Sequence, residues 1–252
     1  MALVVGVLVC LAQSAPAFAS ESRYRDLACP ADEPPRAVLL YVHGGAFLLP
    51  TADADLRRFC APFARRGYHT IAVDYPIQEP GDSAGAFSFE RALRHVRRAV
   101  RCATRTGLPV VAYGDSVGGT LVEHLAVRGS VEAAVAVGAP SDLLTWASGN
   151  RVYWRLLGMS RADRRRASPL NRISANPSPL LLLHSQADDV VSFDQSRRLA
   201  QTLRTAKLIR LAGGHLEDRA ANRIGLRWIA RRIPEDAPAR RPPPSANRCG
   251  AS

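Results

Sequence analysis

The sequence predicts an α/β fold in which a mainly parallel central sheet carries helices on both faces, with a short insertion before the penultimate strand. Three observations carry this expectation. Short β-rich apolar runs alternate with longer segments of helical period along the body of the 252-residue chain. The runs are continuously apolar, as suits strands buried on both faces. The segments between them place apolar residues at three- and four-residue spacing. With 47% hydrophobic residues, the chain can bury one sizeable core, and no shift in composition asks for a second domain.

Taken in order, strands are expected over residues 37–42, 70–74, 110–113, 133–137, 180–184 and 207–211, and helices over 55–66, 87–106, 117–128, 193–204 and 216–232. Segment 87–106 shows the pattern: Ala92, Val96, Val100 and Ala103 share one face, while Arg91, Arg94, Arg98 and Arg101 fall largely elsewhere. Residues 143–177 break the rhythm, with Trp146, Tyr153, Trp154 and Met159 set among arginines, and read as a cap-like insertion. No internal repeat is present.

The two ends differ from the body. Residues 1–19 read as an export signal, an apolar run followed by small residues and Ala17-Phe18-Ala19. The run is shorter than the roughly 20 residues a spanning helix needs, so no stable membrane insertion is expected after cleavage, and the mature chain is expected to be secreted or periplasmic. No Lys or Arg precedes the run, so the positive charge comes from the amino terminus alone or from a start further upstream. Residues 20–235 form the expected domain. Residues 236–252, DAPARRPPPSANRCGAS, read as a flexible tail with nothing to bury.

Cleavage removes Cys10 and leaves Cys29, Cys60, Cys102 and Cys249, an even number compatible with two disulfides outside the cytoplasm. No CxxC pair exists, so a zinc site is not expected. Cys60 is not expected to pair with Cys102. Their helices belong to successive connections that run in opposite directions across the sheet, and right-handed crossovers then place them on opposite faces, beyond disulfide reach.

The net charge of +12 raises nucleic acid or an acidic polymer as a partner. Lys207 is the only lysine, however, and the arginines are scattered along helical segments without a recognised binding motif. Nucleic acid is therefore not expected. Attraction to anionic surfaces or polysaccharides stays open.

The chemistry-bearing residues lie at strand ends. Gly114-Asp115-Ser116-Val117-Gly118-Gly119 directly follows the strand PVVAY and directly precedes a helix. This is G-x-S-x-G in the context that gives it meaning, a tight strand-to-helix turn exposing a serine hydroxyl, with the positive helix end aimed where negative charge develops in acyl transfer. His43-Gly44-Gly45-Ala46-Phe47 ends the strand AVLLYV. A loop with so few side chains lets backbone N–H groups reach a substrate oxygen, which makes Gly44, Gly45 and Ala46 candidates for an oxyanion hole together with Val117 after the serine. His43 is expected to brace that loop by hydrogen bonding.

A general base and an acid should come after the serine in the chain. His215 ends LAGGH just past the last strand, where a loop can bring an imidazole to Ser116; His69, His95 and His124 sit at a strand start or within helices. LLLHSQADDVV offers both Asp188 and Asp189 after the preceding strand, in the chain order Ser, Asp, His. One should orient the imidazole and the other cap the loop.

On HGGAF, GDSVGG and HSQADDVVSFDQS before GGH, the chain resembles α/β-hydrolases of the hormone-sensitive-lipase-like and acetyl- or feruloyl-esterase type, over roughly residues 37–232. The resemblance implies the α/β-hydrolase fold, an oxyanion hole from Gly45, Ala46 and Val117, and Asp188 as the acid, four residues after the histidine ending its strand. Three departures stand out: Ala46 where such families often have a third glycine, Val117 where they often have alanine, and Ser185 where they often have glycine. The stretch before residue 37 is short, so the early antiparallel strands should be reduced.

The expected activity is carboxylic-ester hydrolysis through an acyl-enzyme on Ser116, with no metal or organic cofactor required. Phe47, Trp146 and Trp154 are candidate substrate contacts, and a short acyl group on a small-molecule or carbohydrate-linked ester is favoured because the insertion is too brief and too arginine-rich for a lipase lid. The alternatives are a peptidase of the same fold and a secreted binding protein without catalysis, the latter disfavoured because every triad residue type and both glycine loops are present.

Overall fold

The computed structural model describes residues 26–31, 35–146, 151–217 and 220–233, with the side chains of 53–58 set aside. The expected signal segment 1–19 and tail 236–252 lie outside the described residues.

Strand β2 (Ala37–Val42) is buried at all six positions, because helices cover both of its faces. Its side chains alternate between two separate cores. Val38, Leu40 and Val42 pack with helices α2 (Phe89–Thr104), α3 (Ser116–Val127) and α6 (Asp194–Thr202), whereas Leu39 and Tyr41 pack with α1 (Ala52–Ala64) and α7 (Ala220–Ala230). The period-two alternation of a strand thus assigns each residue to a face, and burial of each large aliphatic side chain contributes about 1.5–3 kcal/mol.

The sheet has seven strands in the order β1-β3-β2-β4-β5-β6-β7, adding β1 (Leu27–Cys29), β3 (Tyr68–Val73), β4 (Val110–Asp115), β5 (Ala133–Val137), β6 (Leu180–Ser185) and β7 (Ala206–Leu211). All pairs are parallel except β1 with β3. Among the described residues, the early antiparallel region is a single three-residue strand. The order reverses between β2 and β4, paired with Val42 opposite Gly114. Such a switch point opens a crevice at the carboxyl ends of the strands, where doubly covered sheets bind their ligands.

Element boundaries depart from expectation by a few residues. Helix α1 starts at Ala52 rather than 55, and α2 at Phe89 rather than 87, where Ser88 caps the helix by accepting from the Arg91 N–H. Helix α7 spans Ala220–Ala230, against the expected 216–232. The insertion between β5 and β6 holds two short helices, α4 (Arg151–Leu156) and α5 (Arg161–Ala167), and a 3₁₀ turn at Pro169–Asn171.

Helices α1 and α2 lie on opposite faces, as the crossover argument requires. Cys60 of α1 pairs with Cys29 of β1, with Cα atoms 5.6 Å apart. Cys102 is likewise disulfide-bonded. No described helix is long and apolar enough to cross a membrane.

Candidate active site

Strand β4 ends at Asp115 and helix α3 begins at once with Ser116, whose φ of +48° lies in the left-handed region. A non-glycine residue held there costs on the order of 1–3 kcal/mol and persists only when its surroundings impose it. Here the imposing contact is close backbone approach: a Cβ on Gly118 would lie 2.2 Å from the carbonyl oxygens of Val42 and His43. Glycine at 118 lets the first turn of α3 press against the end of β2 and lifts the serine hydroxyl to the sheet's carboxyl edge.

The Ser116 hydroxyl donates to His215 Nε2 at 3.2 Å, and His215 Nδ1–H donates to Asp188 Oδ2 at 2.7 Å. These three residues, 27 to 99 positions apart, meet because β4, β6 and β7 are parallel and end at the same edge. The other Asp188 oxygen accepts from the Val190 and Val191 backbone N–H groups at 3.0 and 2.7 Å, and buried His184 lies 3.4 Å from Oδ2. Burial works against the Asp188 charge, but the hydrogen bonds from His184, His215 and Val191 outweigh it and hold the carboxyl well below the usual carboxylate range. Asp189 is exposed. Of the two aspartates, Asp188 alone is brought to His215.

Ser185 ties this corner together: its hydroxyl donates to the Gly213 carbonyl in the loop before His215 and accepts from the Ala187 N–H at 3.1 Å. Glu217 accepts from the Gly214 N–H at 2.7 Å on the other side. The imidazole therefore sits on a loop fastened at both ends, although it is rich in glycine.

The loop after β2 lies against the serine. A Cβ on Gly44 would meet Ser116 Cβ at 3.2 Å and Asp115 Oδ1 at 2.9 Å, and Gly45, Ala46 and Phe47 all adopt positive φ. This turn brings Gly44, Gly45 and Ala46 beside the first turn of α3, where Val117 has one of the backbone N–H groups that a helix leaves unpaired. His43 is fully buried, donates from Nδ1 to the Gly44 carbonyl at 2.9 Å, and stacks on Tyr75 with ring centroids 4.3 Å apart. The Tyr75 hydroxyl reaches the His43 and Gly44 carbonyls at 2.8 and 3.2 Å. Burial pushes His43 down to about 4, against the Gly44 hydrogen bond, so the loop rests on a neutral imidazole at neutral pH. The bracing expected of His43 is shared with Tyr75, which no motif singles out.

The three aromatics expected at the substrate are placed otherwise. Phe47 has no exposed surface and packs among Tyr75, Phe87 and Phe89 beneath the loop. Trp146 and Trp154 are 6% and 5% exposed, packed edge-to-face on each other and on Tyr153. Their apolar bodies are used to seat the insertion on the core, which corrects the expectation that they present a face to substrate. Val117 is likewise fully buried within the core between sheet and α3. Its backbone, not its side chain, adjoins the site.

Of the remaining histidines, His124 donates to the Ala167 carbonyl at 2.8 Å and His95 lies 3.3 Å from Asp26, whereas His69 Nε2 is buried without a hydrogen-bond partner among the described residues. Further along α3 from the serine, Glu123 is completely buried and accepts from the Ser141 hydroxyl at 3.0 Å. Burial pushes its carboxyl well above the usual range, the Ser141 hydrogen bond opposing. Among the described residues no cluster of His, Cys, Asp and Glu could hold a metal ion.

A doubly covered sheet with a serine, a histidine and an aspartate converging at its carboxyl edge defines the class: a serine hydrolase of the α/β-hydrolase fold. The chain belongs to the BD-FAE family, whose model matches residues 26–203. Solved structures share the fold. Apo esterase 2 of Thermogutta terrifontis is 20% identical with a TM-score of 0.66, covering 86% of this chain and 91% of that one. A truncated carbohydrate esterase from gut microbiota is 17% identical with a TM-score of 0.68, covering 80% and 87%. A bifunctional GH43-CE protein of Bacteroides eggerthii is 18% identical with a TM-score of 0.72; the match spans 85% of this chain and 37% of that one.

Proposed function

We propose that this protein hydrolyses carboxylic esters through an acyl-enzyme on Ser116. The observation that carries the reading is the unbroken hydrogen-bond chain from the Ser116 hydroxyl through His215 to Asp188. His215 Nε2 takes the serine proton as Oγ attacks the ester carbonyl. Backbone N–H groups of Gly45, Ala46 and Val117 hold the oxyanion, His215 returns the proton to the leaving alcohol, and water activated by the same imidazole releases the acid. Asp188, ionised at neutral pH, keeps Nδ1 protonated and stabilises the imidazolium.

A short acyl group fits this site best. The insertion commits Trp146, Trp154, Leu157 and Met159 to the core, leaving these side chains unavailable for a long acyl groove, in which each buried methylene would contribute about 0.8 kcal/mol. The fold relative from Thermogutta terrifontis has a propionate-bound structure, and a gut relative is described as a carbohydrate esterase; a small or sugar-linked ester is the matching substrate class here. Export to an oxidising compartment agrees with the Cys29–Cys60 bond.

Labelling with a fluorophosphonate probe, together with a p-nitrophenyl ester series from acetate to palmitate, tests the proposal. Stoichiometric modification of Ser116 and a kcat/KM maximum between acetate and butyrate are expected. Absence of labelling in folded protein would favour a binding protein, and a maximum at eight or more carbons would overturn the short-acyl assignment.

A further inference from the structure

Cys102 lies buried in the last turn of α2 and is disulfide-bonded within the chain. The sequence holds five cysteines, and Cys29 and Cys60 are taken up by each other. The partner of Cys102 is therefore Cys10 or Cys249, both outside the described residues. Two independent observations separate them.

The first is where the two ends of the described chain lie. The amino end enters at the carboxyl edge of the sheet, the edge of Ser116: Asp26 accepts from the Asp74 N–H just past β3, and β1 then runs antiparallel to β3 with Leu27 opposite Ala72 and Cys29 opposite Thr70. Cys102 lies at the other edge. Helix α2 runs back toward the amino ends of the strands, and the loop after it feeds β4, where the Val38 N–H donates to the Pro109 carbonyl at 2.9 Å. The carboxyl end of the described chain is at this same amino edge. Arg36, directly before β2, donates its guanidinium N–H to the Ile233 carbonyl at 3.0 Å and its backbone N–H to the Gly67 carbonyl directly before β3. Helices α7 and α2 flank the sheet on opposite faces, a separation on the order of 20 Å, about two helix diameters. The sixteen positions from Ile233 to Cys249 include five prolines, and a proline-rich segment of that length reaches about 50 Å at roughly 3.1 Å per residue.

The second is the order of events. Disulfides form outside the cytoplasm, and on the export reading of residues 1–19 Cys10 leaves with the signal.

We propose that Cys102 and Cys249 form a second disulfide, which fastens the carboxyl-terminal tail as a strap across the amino edge of the sheet, from the α7 face to the α2 face. Strands β4 to β7 and all of Ser116, Asp188 and His215 fall between the two cysteines, so the bond closes a covalent ring around the whole candidate triad. The Cys29–Cys60 ring holds only β1, β2 and part of α1. Residues 234–248 contain no apolar side chain larger than alanine apart from the prolines, so packing offers the tail little hold and the bond supplies it. In forming the bond the two thiols give up two protons and two electrons to the disulfide of an exported thiol oxidase, which leaves as a dithiol.

Peptide mapping of the exported protein, with free thiols blocked first and trypsin applied without reduction, tests the proposal. Trypsin cuts after Arg101, Arg105 and Arg248, so Cys102–Arg105 should be recovered joined to Cys249–Ser252 and should separate on reduction. A blocked Cys102 thiol, or Cys102 joined to Cys10 or to the Cys102 of a second copy, would overturn it. Cys249→Ser should lower the thermal midpoint by about 5–20 °C, as loss of closure of a loop of about 150 residues implies, and removal of residues 234–252 should lower it by the same amount. Cys102→Ser/Cys249→Ser should fall no further than Cys249→Ser, because each loses the same single bond. An unchanged midpoint in Cys249→Ser would overturn the strap. None of these results depends on whether the protein hydrolyses esters.

Discussion

The Tyr153 hydroxyl donates to the Ala46 carbonyl at 2.9 Å across 107 positions of sequence, joining the insertion to the loop beside the candidate nucleophile. Burial pushes the Tyr153 phenol up, so it remains a donor through neutral and alkaline pH. One hydrogen bond contributes about 0.5–1.5 kcal/mol, and Tyr153→Phe should therefore lower kcat/KM for p-nitrophenyl acetate about two- to tenfold. The loss should fall mainly on kcat and show no pH dependence between 6 and 9. Unchanged kinetics would mean that the loop holds its shape without the insertion.

Asp188 and Asp189 are neighbours with opposite surroundings. Asp188→Asn should lower kcat by about ten-thousand-fold, the order of loss seen when a triad acid is neutralised, while Asp189→Asn stays within about twofold. Because the folded Asp188 pKa is depressed, its contribution to stability is complete above the ordinary carboxylate value of about 4 and is lost as pH falls through the folded value. Denaturant unfolding of wild type and Asp188→Asn at pH 7 and pH 3 checks this: their difference should shrink in acid.

Glu123 has the opposite sign. Its folded pKa is raised, so it is neutral in both states in acid, and stability declines with rising pH as the unfolded chain ionises. Glu123→Gln removes that ionisation. The melting temperature of the variant relative to wild type should become more positive from pH 4 to pH 8; a difference that is flat or falls with pH would show that the carboxyl is ionised in the fold.

The Cys29–Cys60 bond closes a loop with a sequence separation of 31. Loop-closure entropy for that length amounts to about 3–4 kcal/mol, and the paired variant Cys29→Ser/Cys60→Ser should lose an amount of that order in guanidinium unfolding. An unchanged midpoint would mean that the denatured chain is constrained by other means.

The parts of the site readable from sequence are those built within a few consecutive residues. The Ser116 turn and the HGG loop each announce themselves by an apolar strand running directly into glycines, because steric demands on a tight turn are local. Asp188 and Asp189 are not separated by the residues themselves: the spacing shared with the resembling families points to Asp188, and the turn after β6 is what brings that carboxylate to His215. Tyr75 and Tyr153 carry no local signal either, and Ser185 stands out only as a departure from a frequent glycine. Their hydroxyls matter through the register of parallel strands and the docking of the insertion, which depend on residues far along the chain. Phe47, Trp146 and Trp154 show the converse, aromatic residues beside a motif that the core absorbs.

Strand β1 covers the outer edge of β3 with only three residue pairs, Leu27 to Ala72, Ala28 to Ile71 and Cys29 to Thr70. So short a strand has little hold of its own, and its fastening to α1 through Cys29 and Cys60 keeps it in place. Beneath it, β3 presents Tyr68, Ile71, Ala72 and Val73 on a backbone able to template another strand. Reduction of this one bond thus unmasks an adhesive edge, and in a reducing cytoplasm the chain should be lost to intermolecular sheet growth before it is lost to unfolding.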